Sequence, residues 1–298
     1  MIYCKELMIY CKHFSQALIT NNSNTITLLL FMVQLVDLFN TIQGEGRYAG
    51  TLATFMRFPG CNLFCGLAQP LAKTKPVSKR NNRMVPNNPT QAKINRMKVS
   101  QATWVCDTME QWRQNGKTWN IEDLTNLLSQ TYNNSNYHVV FTGGEPLMHK
   151  DDILAIIDAC EKLPHPPSLY EIESNATIPP LQHPKIAYNL SPKLSNSGLP
   201  HNLRVHNDVL ATYFQLEKTQ QVYWKFVVNR IEDVYEAFLY FPKDNYIIPY
   251  DRVYFMPGAY DRRQLVKNSQ TVIEFCKKVG VNYSPRLQIF VYDRVVGV

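Results

Sequence analysis

Downstream of residue 50, two hydrophobic patterns alternate along the chain. Short runs rich in β-branched and aromatic residues read as buried strands, and between them apolar residues recur at helical spacing. The runs predict strands at 52–58, 137–142, 169–172, 185–190, 223–228, 252–256 and 287–292. Helices are predicted at 121–130, 153–162, 231–240 and 262–279. Asn120 stands where an N-cap is wanted, and Asp151 and Asp152 place negative charge at the start of the second helix. Repeated strand, helix, strand implies parallel strands joined by right-handed crossovers, hence an α/β barrel, full or partial.

The turns at the strand ends are the informative part. Arg57-Phe-Pro-Gly-Cys61 ends the first run, Thr142-Gly-Gly-Glu-Pro146 the second, Glu173-Ser-Asn175 the third and Ser191-Pro-Lys193 the fourth. Pro257-Gly258 comes after the sixth. In parallel α/β folds the C-terminal strand ends converge, so these turns predict one shared site there.

Composition narrows the picture. In 298 residues, 45% hydrophobic and 18% charged describe a globular protein and exclude a disordered or fibrous one. Seven cysteines are too few for a disulfide scaffold, so a reducing, cytoplasmic setting is expected. No run approaches the roughly 20 apolar residues of a membrane helix, because Asn21 to Asn24 interrupt the N-terminal one. The net charge of +7 suggests nucleic-acid binding until it is located. Between 66 and 103 there are eight basic residues and no acidic one, which leaves the remainder about neutral, so direct nucleic-acid binding is not expected. Residues 1–33, with the near-duplicates Met1-Ile-Tyr-Cys-Lys5 and Met8-Ile-Tyr-Cys-Lys12, are expected to be an extension outside the core, with Met32 an alternative start. One domain, 34–298, is expected, carrying a basic insertion at 66–103.

Three cysteines suggest chemistry. Cys61 and Cys65 are three residues apart, and Cys106 lies in Thr103-Trp-Val-Cys-Asp-Thr108. Thiolates bind zinc or iron–sulfur clusters, and three of them leave one metal position open. Ordinary buried cysteines fit the same residues, as they do Cys160 and Cys276, which fall inside helical patterns. The adjacent glycines Gly143 and Gly144 let a ligand approach the backbone, or simply make a turn.

Taken in order, Thr41-Ile-Gln-Gly-Glu-Gly46, Arg57-Phe-Pro-Gly-Cys-Asn-Leu63, Cys106-Asp-Thr108, Phe141-Thr-Gly-Gly-Glu-Pro-Leu147, Glu173-Ser-Asn-Ala176 and Asn189-Leu-Ser-Pro-Lys193 resemble the radical S-adenosylmethionine superfamily and, within it, the 7-carboxy-7-deazaguanine synthase family. The resemblance runs from about residue 35 to the C-terminus. It implies a partial (β/α)6-type barrel with the active site at the C-terminal strand ends. It also implies a [4Fe-4S] cluster on Cys61, Cys65 and Cys106, S-adenosylmethionine on its fourth iron, and Mg2+ on Thr108. The cofactor's contacts would be Val105, Asp107, Gly143, Gly144 and Glu145 together with Ser174, Asn175, Ser191 and Lys193. The pterin substrate would meet Ile42, Gln43, Gly44, Glu45 and Thr142, with Arg57 on its carboxylate. No protein side chain is implied as catalytic in itself.

The implied activity is conversion of 6-carboxy-5,6,7,8-tetrahydropterin to 7-carboxy-7-deazaguanine by radical ring contraction with loss of ammonia. A flavodoxin- or ferredoxin-type electron donor and a homodimer are implied as partners. On the residues alone, Arg57 also reads as a strand-end ion pair, Thr108 as a helix cap, Glu45 as a loop charge and Lys193 as a solvated lysine. Two departures stand out: 40 residues separate Cys65 from Cys106, and Gln288 stands where relatives often carry histidine. Two further readings remain at this level. One is another radical S-adenosylmethionine enzyme, such as a protein-radical activase; the other is a non-catalytic zinc protein that binds nucleic acid.

Overall fold

The computed structural model describes residues 32–66, 102–244, 246–295 and 297. The expected extension up to residue 31 and most of the expected insertion lie outside them. The chain enters through β1 (Met32–Leu35), β2 (Asp37–Ile42) and β3 (Leu52–Phe58). A short helix α1 (Met109–Trp112), strand β4 (Lys117–Asn120) and helix α2 (Ile121–Thr131) lead to β5 (His138–Gly143). Then come α3 (Lys150–Cys160), β6 (Leu169–Ser174) and β7 (Ile186–Leu190). The short α4 (His201–Arg204) precedes α5 (Asn207–Leu216), β8 (Gln221–Val228) and α6 (Ile231–Phe238). β9 (Val253–Pro257), α7 (Arg262–Val279), β10 (Asn282–Tyr283) and α8 (Leu287–Tyr292) complete it.

Eight strands form one sheet in the order β10-β9-β8-β7-β6-β5-β3-β2, parallel throughout except for the antiparallel β2–β3 pair. From β3 to β10 the spatial order follows the chain order, so every crossover steps in the same direction. The period-2 alternation of a strand explains the two faces. Val139 and Phe141 of β5, Tyr170 and Ile172 of β6, Tyr188 and Leu190 of β7, and Trp224 and Phe226 of β8 all join one apolar core. Helix residues Leu124, Ile153, Ile157, Tyr213, Val234 and Val272 enter the same core, so helices cover that face. Fully burying each such side chain contributes roughly 1.5–3 kcal/mol. The residues in between, Thr142, Glu171, Glu173, Asn189 and Lys225, are polar and face the other way; all are buried except the half-buried Glu173.

Helix ends follow their sequence signals. The Asn120 side chain accepts the Glu122 N–H at 3.1 Å, as an N-cap should. Asp261 does the same for Gln264 at 2.8 Å, and α7 stops at Gly280, which adopts φ +77°.

Three expectations change. Residues 287–292, expected as a strand, form α8: a short apolar run is ambiguous in period, and the last sheet position is taken by the two-residue β10. The boundary expected at residue 33 falls inside β1, whose Val33 and Leu35 are buried in the main core while the strand pairs with β4. Strands β1, β2, β4 and β10 and helix α5 were not among the predicted elements; β2 and β4 mix polar and apolar residues without the expected runs. Cys160 and Cys276 are buried among apolar neighbours, as expected. Among the described residues no helix is long and apolar enough to cross a membrane.

Candidate active site

A cavity of about 350 Å³ opens where the parallel strands end. Its wall takes Arg57 from β3, Thr142 from β5, Glu173 from β6, Asn189 from β7, Lys225 from β8 and Met256 from β9.

Cys61, Cys65 and Cys106 all line this cavity, and none is in a disulfide. The Cys106 N–H donates to the Cys65 carbonyl at 3.2 Å, which joins two cysteines 40 residues apart in the chain. Around this junction the Gly66 N–H meets the Ser197 carbonyl at 2.7 Å and the Thr103 N–H meets the Asn196 carbonyl at 2.8 Å. Gly66 has φ +79°, and a Cβ there would lie 2.3 Å from the Trp104 carbonyl oxygen. Burial raises the Cys65 thiol to about 12, against the pull of Lys193, and raises Cys61 further. Charge on Cys65 or Cys106 opposes charge on Cys61, and charge on Cys106 opposes charge on Cys65. Thiols this reluctant to ionise become thiolates when a metal replaces their protons.

Thr108 caps α1, and its hydroxyl lies 3.6 Å from the Cys106 sulfur. Among the described residues no three His, Cys, Asp or Glu side chains converge as a single-ion site. The three thiols flank the cavity instead, with no fourth protein ligand among them. That donor set suits a multi-iron cluster with one corner left for another ligand.

The glycine pair fits between the cysteine turn and β5. A Cβ on Gly143 would sit 2.4 Å from the Phe58 carbonyl oxygen, and one on Gly144 would sit 2.0 Å from that of Gly60 and 2.4 Å from the Cys61 Cβ. Glycine is therefore required here by the neighbouring backbone as well as by the open cavity. Glu145 donates its N–H to the Gly60 carbonyl at 3.1 Å. Its side chain turns into the protein, fully buried, and accepts the Asn175 N–H at 2.7 Å and the Leu147 N–H at 3.1 Å. Burial raises its carboxyl to about 7 despite these bonds.

Ser174, Asn175, Ser191 and Lys193 continue the same wall. The Ser191 N–H donates to the Ser174 carbonyl at 2.7 Å, and the Lys193 ammonium to the Ser191 hydroxyl at 3.0 Å. Lys193 also lies 5.8 Å from the Trp104 ring centroid. It is half-buried rather than solvated. Val105 and Asp107 complete this end.

The opposite end is more polar. Gln43 is buried; its amide donates to Glu171 at 3.1 Å and to Glu173 at 3.4 Å, and its oxygen accepts the Glu45 N–H. Glu171 also meets His138 Nδ1 at 2.8 Å, and burial raises its pKa against that partner. The Thr142 hydroxyl donates to Glu173 at 2.7 Å. Arg57 pairs through Nε with Asp37, its cross-strand neighbour, at 3.0 Å. Ile42 and Gly44 lie on the rim.

Glu45 gathers the main charges. It accepts from Lys225 Nζ at 2.7 Å, Arg286 Nε at 3.0 Å and Gln288 Nε2 at 2.6 Å. Burial opposes its ionisation, but the two cations hold its pKa far below the ordinary range. Burial likewise disfavours charge on Lys225 and Arg286, and their acidic partners outweigh it, so both pKa values rise. Arg286 extends the network to Asp107, which ties the C-terminal segment to the third cysteine's motif.

All the candidate residues except Glu145 thus reach one cavity. Glu173, Asn189, Lys225 and Arg286 were not assigned from the sequence. For the three on strands a signal was available: a polar residue at alternate positions of an otherwise apolar strand, as in Val222-Tyr-Trp-Lys-Phe-Val-Val228; Arg286, before the last helix, had none.

No protein-family model matches the chain. A 7-carboxy-7-deazaguanine synthase of Hyperthermus butylicus is 26% identical over 266 residues, 87% of this chain and 93% of the relative. Another, from Halobacterium salinarum, is 27% identical over 277 residues, 86% and 89% of the two chains. The crystal structure of QueE from Escherichia coli covers 85% of this chain and 93% of its own with a TM-score of 0.52. At 22% identity that is a likeness of fold.

Proposed function

We infer that this chain is a 7-carboxy-7-deazaguanine synthase of the radical S-adenosylmethionine superfamily. It converts 6-carboxy-5,6,7,8-tetrahydropterin to 7-carboxy-7-deazaguanine with loss of ammonia, a step in queuosine-type biosynthesis. One observation carries the reading. Similarity along nearly the whole chain coincides with a cavity that has three free thiols at one end and a buried arginine, glutamine and threonine at the other.

Cys61, Cys65 and Cys106 would hold a [4Fe-4S] cluster, which together with S-adenosylmethionine would supply hydrogen-atom abstraction. The chain's own residues position and shield. Arg57, steadied by Asp37, offers a planar fork to the substrate carboxylate. Gln43, Gly44, Thr142, Ile42 and Glu45 surround the pterin. Because Glu173 and Glu171 already fix the Gln43 amide, its orientation is set before substrate arrives. Gly143 and Gly144, with Ser174, Asn175, Ser191, Lys193, Val105 and Asp107, receive the cofactor's amino-acid end. Glu145 acts behind them as a buried strut. Thr108 would offer one hard oxygen to Mg2+. Phe39, Phe55 and Met256 make the intervening wall apolar and keep water from the reacting centre.

In this reading the sheet is a partial (β/α)6 barrel, supported by its sequential strand order and one-sided helices. The enzyme works in the cytoplasm as a homodimer, with electrons from a flavodoxin- or ferredoxin-type protein.

The test is anaerobic reconstitution with iron and sulfide, then incubation with S-adenosylmethionine, Mg2+, reductant and the carboxylated tetrahydropterin, read by mass spectrometry. The reading requires 7-carboxy-7-deazaguanine as product, and Cys106→Ala should lose both the brown chromophore and turnover. A protein that cleaves the cofactor but leaves the pterin untouched would be a different radical enzyme. One that binds zinc without forming a chromophore would belong to neither class.

A further inference from the structure

One polar side chain on the cavity wall has no partner inside the protein. Asn189 lies on β7 and is 3% exposed, yet neither its Oδ1 nor its Nδ2 makes a hydrogen bond among the described residues. Buried amides are almost always bonded, because desolvating an unpaired donor and acceptor is costly. Asn189 does belong to a layer. Strand pairing sets Arg57 level with Thr142, and Glu173 level with Asn189. The Thr142–Glu173 hydrogen bond joins the two halves of that layer. Arg57, Thr142 and Glu173 each have a partner; Asn189 lines the same cavity with neither amide atom paired among the described residues.

A glycine packs against the amide. Gly46 passes directly over it at φ +69°, and a Cβ there would lie 2.5 Å from Nδ2 and 2.7 Å from Oδ1. The Gln288 Oε1 is likewise buried without a partner among the described residues. The neighbours are those assigned to substrate, whereas Ser191 and Lys193, further along the same segment, lie toward the thiols.

We propose that Asn189 is a specificity residue that reads the pyrimidinone edge of the bound pterin. The inference rests on the functional reading above and deepens it. A carboxamide presents a donor and an acceptor side by side. The 2-amino-4-oxopyrimidine ring presents the matching acceptor and donor at N1 and the 2-amino group, which the 2,4-dioxo ring inverts; this is the pairing by which Asn and Gln recognise bases. That ring stays intact while its neighbour contracts, so a contact there can hold the substrate in register throughout the reaction.

The experiment compares wild type with Asn189→Leu and Asn189→Asp, each reconstituted and saturated with S-adenosylmethionine. Equilibrium binding is read by fluorescence with two unreactive probes: 6-carboxypterin and its 2,4-dioxo counterpart, 6-carboxylumazine. Turnover of the tetrahydropterin gives KM. The expected result is wild-type preference for the pterin over the lumazine, and a tenfold or greater rise in KM and in the pterin dissociation constant for Asn189→Leu. Asn189→Asp, which replaces the amide donor with an acceptor, should lose at least tenfold of that preference. Affinity for S-adenosylmethionine should stay within twofold in both.

If wild type converts the substrate while both variants keep its KM and its preference, the inference fails and the functional reading stands. A parallel loss of cofactor affinity would mark Asn189 as structural and also overturn the inference. If wild type neither binds nor converts the pterin, the functional reading falls and the inference with it. Should Asn189→Leu not fold, Asn189→Asp alone decides through the two-probe preference.

Discussion

Glu45 is the residue whose removal the structure prices most clearly. Its carboxylate lies between Lys225 and Arg286, whose side chains are 5% and 7% exposed. In Glu45→Ala both cations lose a partner, but not equally. Arg286 keeps Asp107 and the Ala259 carbonyl at 2.8 Å, so the uncompensated charge falls on Lys225. Breaking a buried pair in this way typically costs about 3–5 kcal/mol, and the retained arginine contacts put the expectation near the lower end, about 3 kcal/mol. For a domain of this size that is a fall in Tm of roughly 6 to 12 °C. Urea unfolding of cluster-free protein measures it, alongside Lys225→Met and the double variant. With no orphan charge left, the double variant should be at least about 1.5 kcal/mol more stable than additivity allows. A loss under about 0.5 kcal/mol for Glu45→Ala, or strictly additive singles, would refute the assignment of Glu45 as the counter-charge.

Two further outcomes are expected from the geometry. Gly144→Ala places a methyl group against the backbone of Gly60 and the Cβ of Cys61, none of which is a flexible tip, so cluster incorporation measured by iron and sulfide content should fall severalfold. An unchanged iron content would show that the cysteine turn can yield. Glu145 has an ordinary pKa of 4.5 and a folded value of about 7, so between these pH values the folded state holds a proton that the unfolded chain has lost. Its contribution is greatest below pH 4.5 and is lost as pH rises to 7, about 3 kcal/mol in all. In cluster-free protein, Glu145→Gln should lack this decline, and parallel stability curves for the two proteins would rule the buried titration out.

The legible parts of this protein were those that depend on local pattern. Leu52–Phe58 was bounded correctly because an apolar run ends at a Pro-Gly turn, and Arg262–Val279 because Asp261 and Gly280 punctuate it. The shared cavity was legible as polar turns at the strand ends. What local pattern could not carry was pairing. Leu287–Tyr292 has strand-like composition yet forms a helix, and the edge of the sheet is taken by the two-residue β10 instead. The Glu45, Lys225, Arg286 network joins residues up to 241 positions apart. Nothing in any one segment reveals such a partner. Glu145 was assigned to the cofactor by its motif, yet its contacts are with backbone of the following strand's end, a relation visible only in three dimensions.

The junction at Cys65 and Cys106 bears on how the gene can be altered. Three backbone hydrogen bonds fasten Gly66, Thr103 and Cys106 to fixed points, so both ends of that stretch are held at one doorway. Closing a longer excursion adds only about 0.6 kcal/mol per doubling of length. The doorway is therefore a natural graft point. A fluorescent reporter or affinity handle spliced there should leave the chemistry untouched.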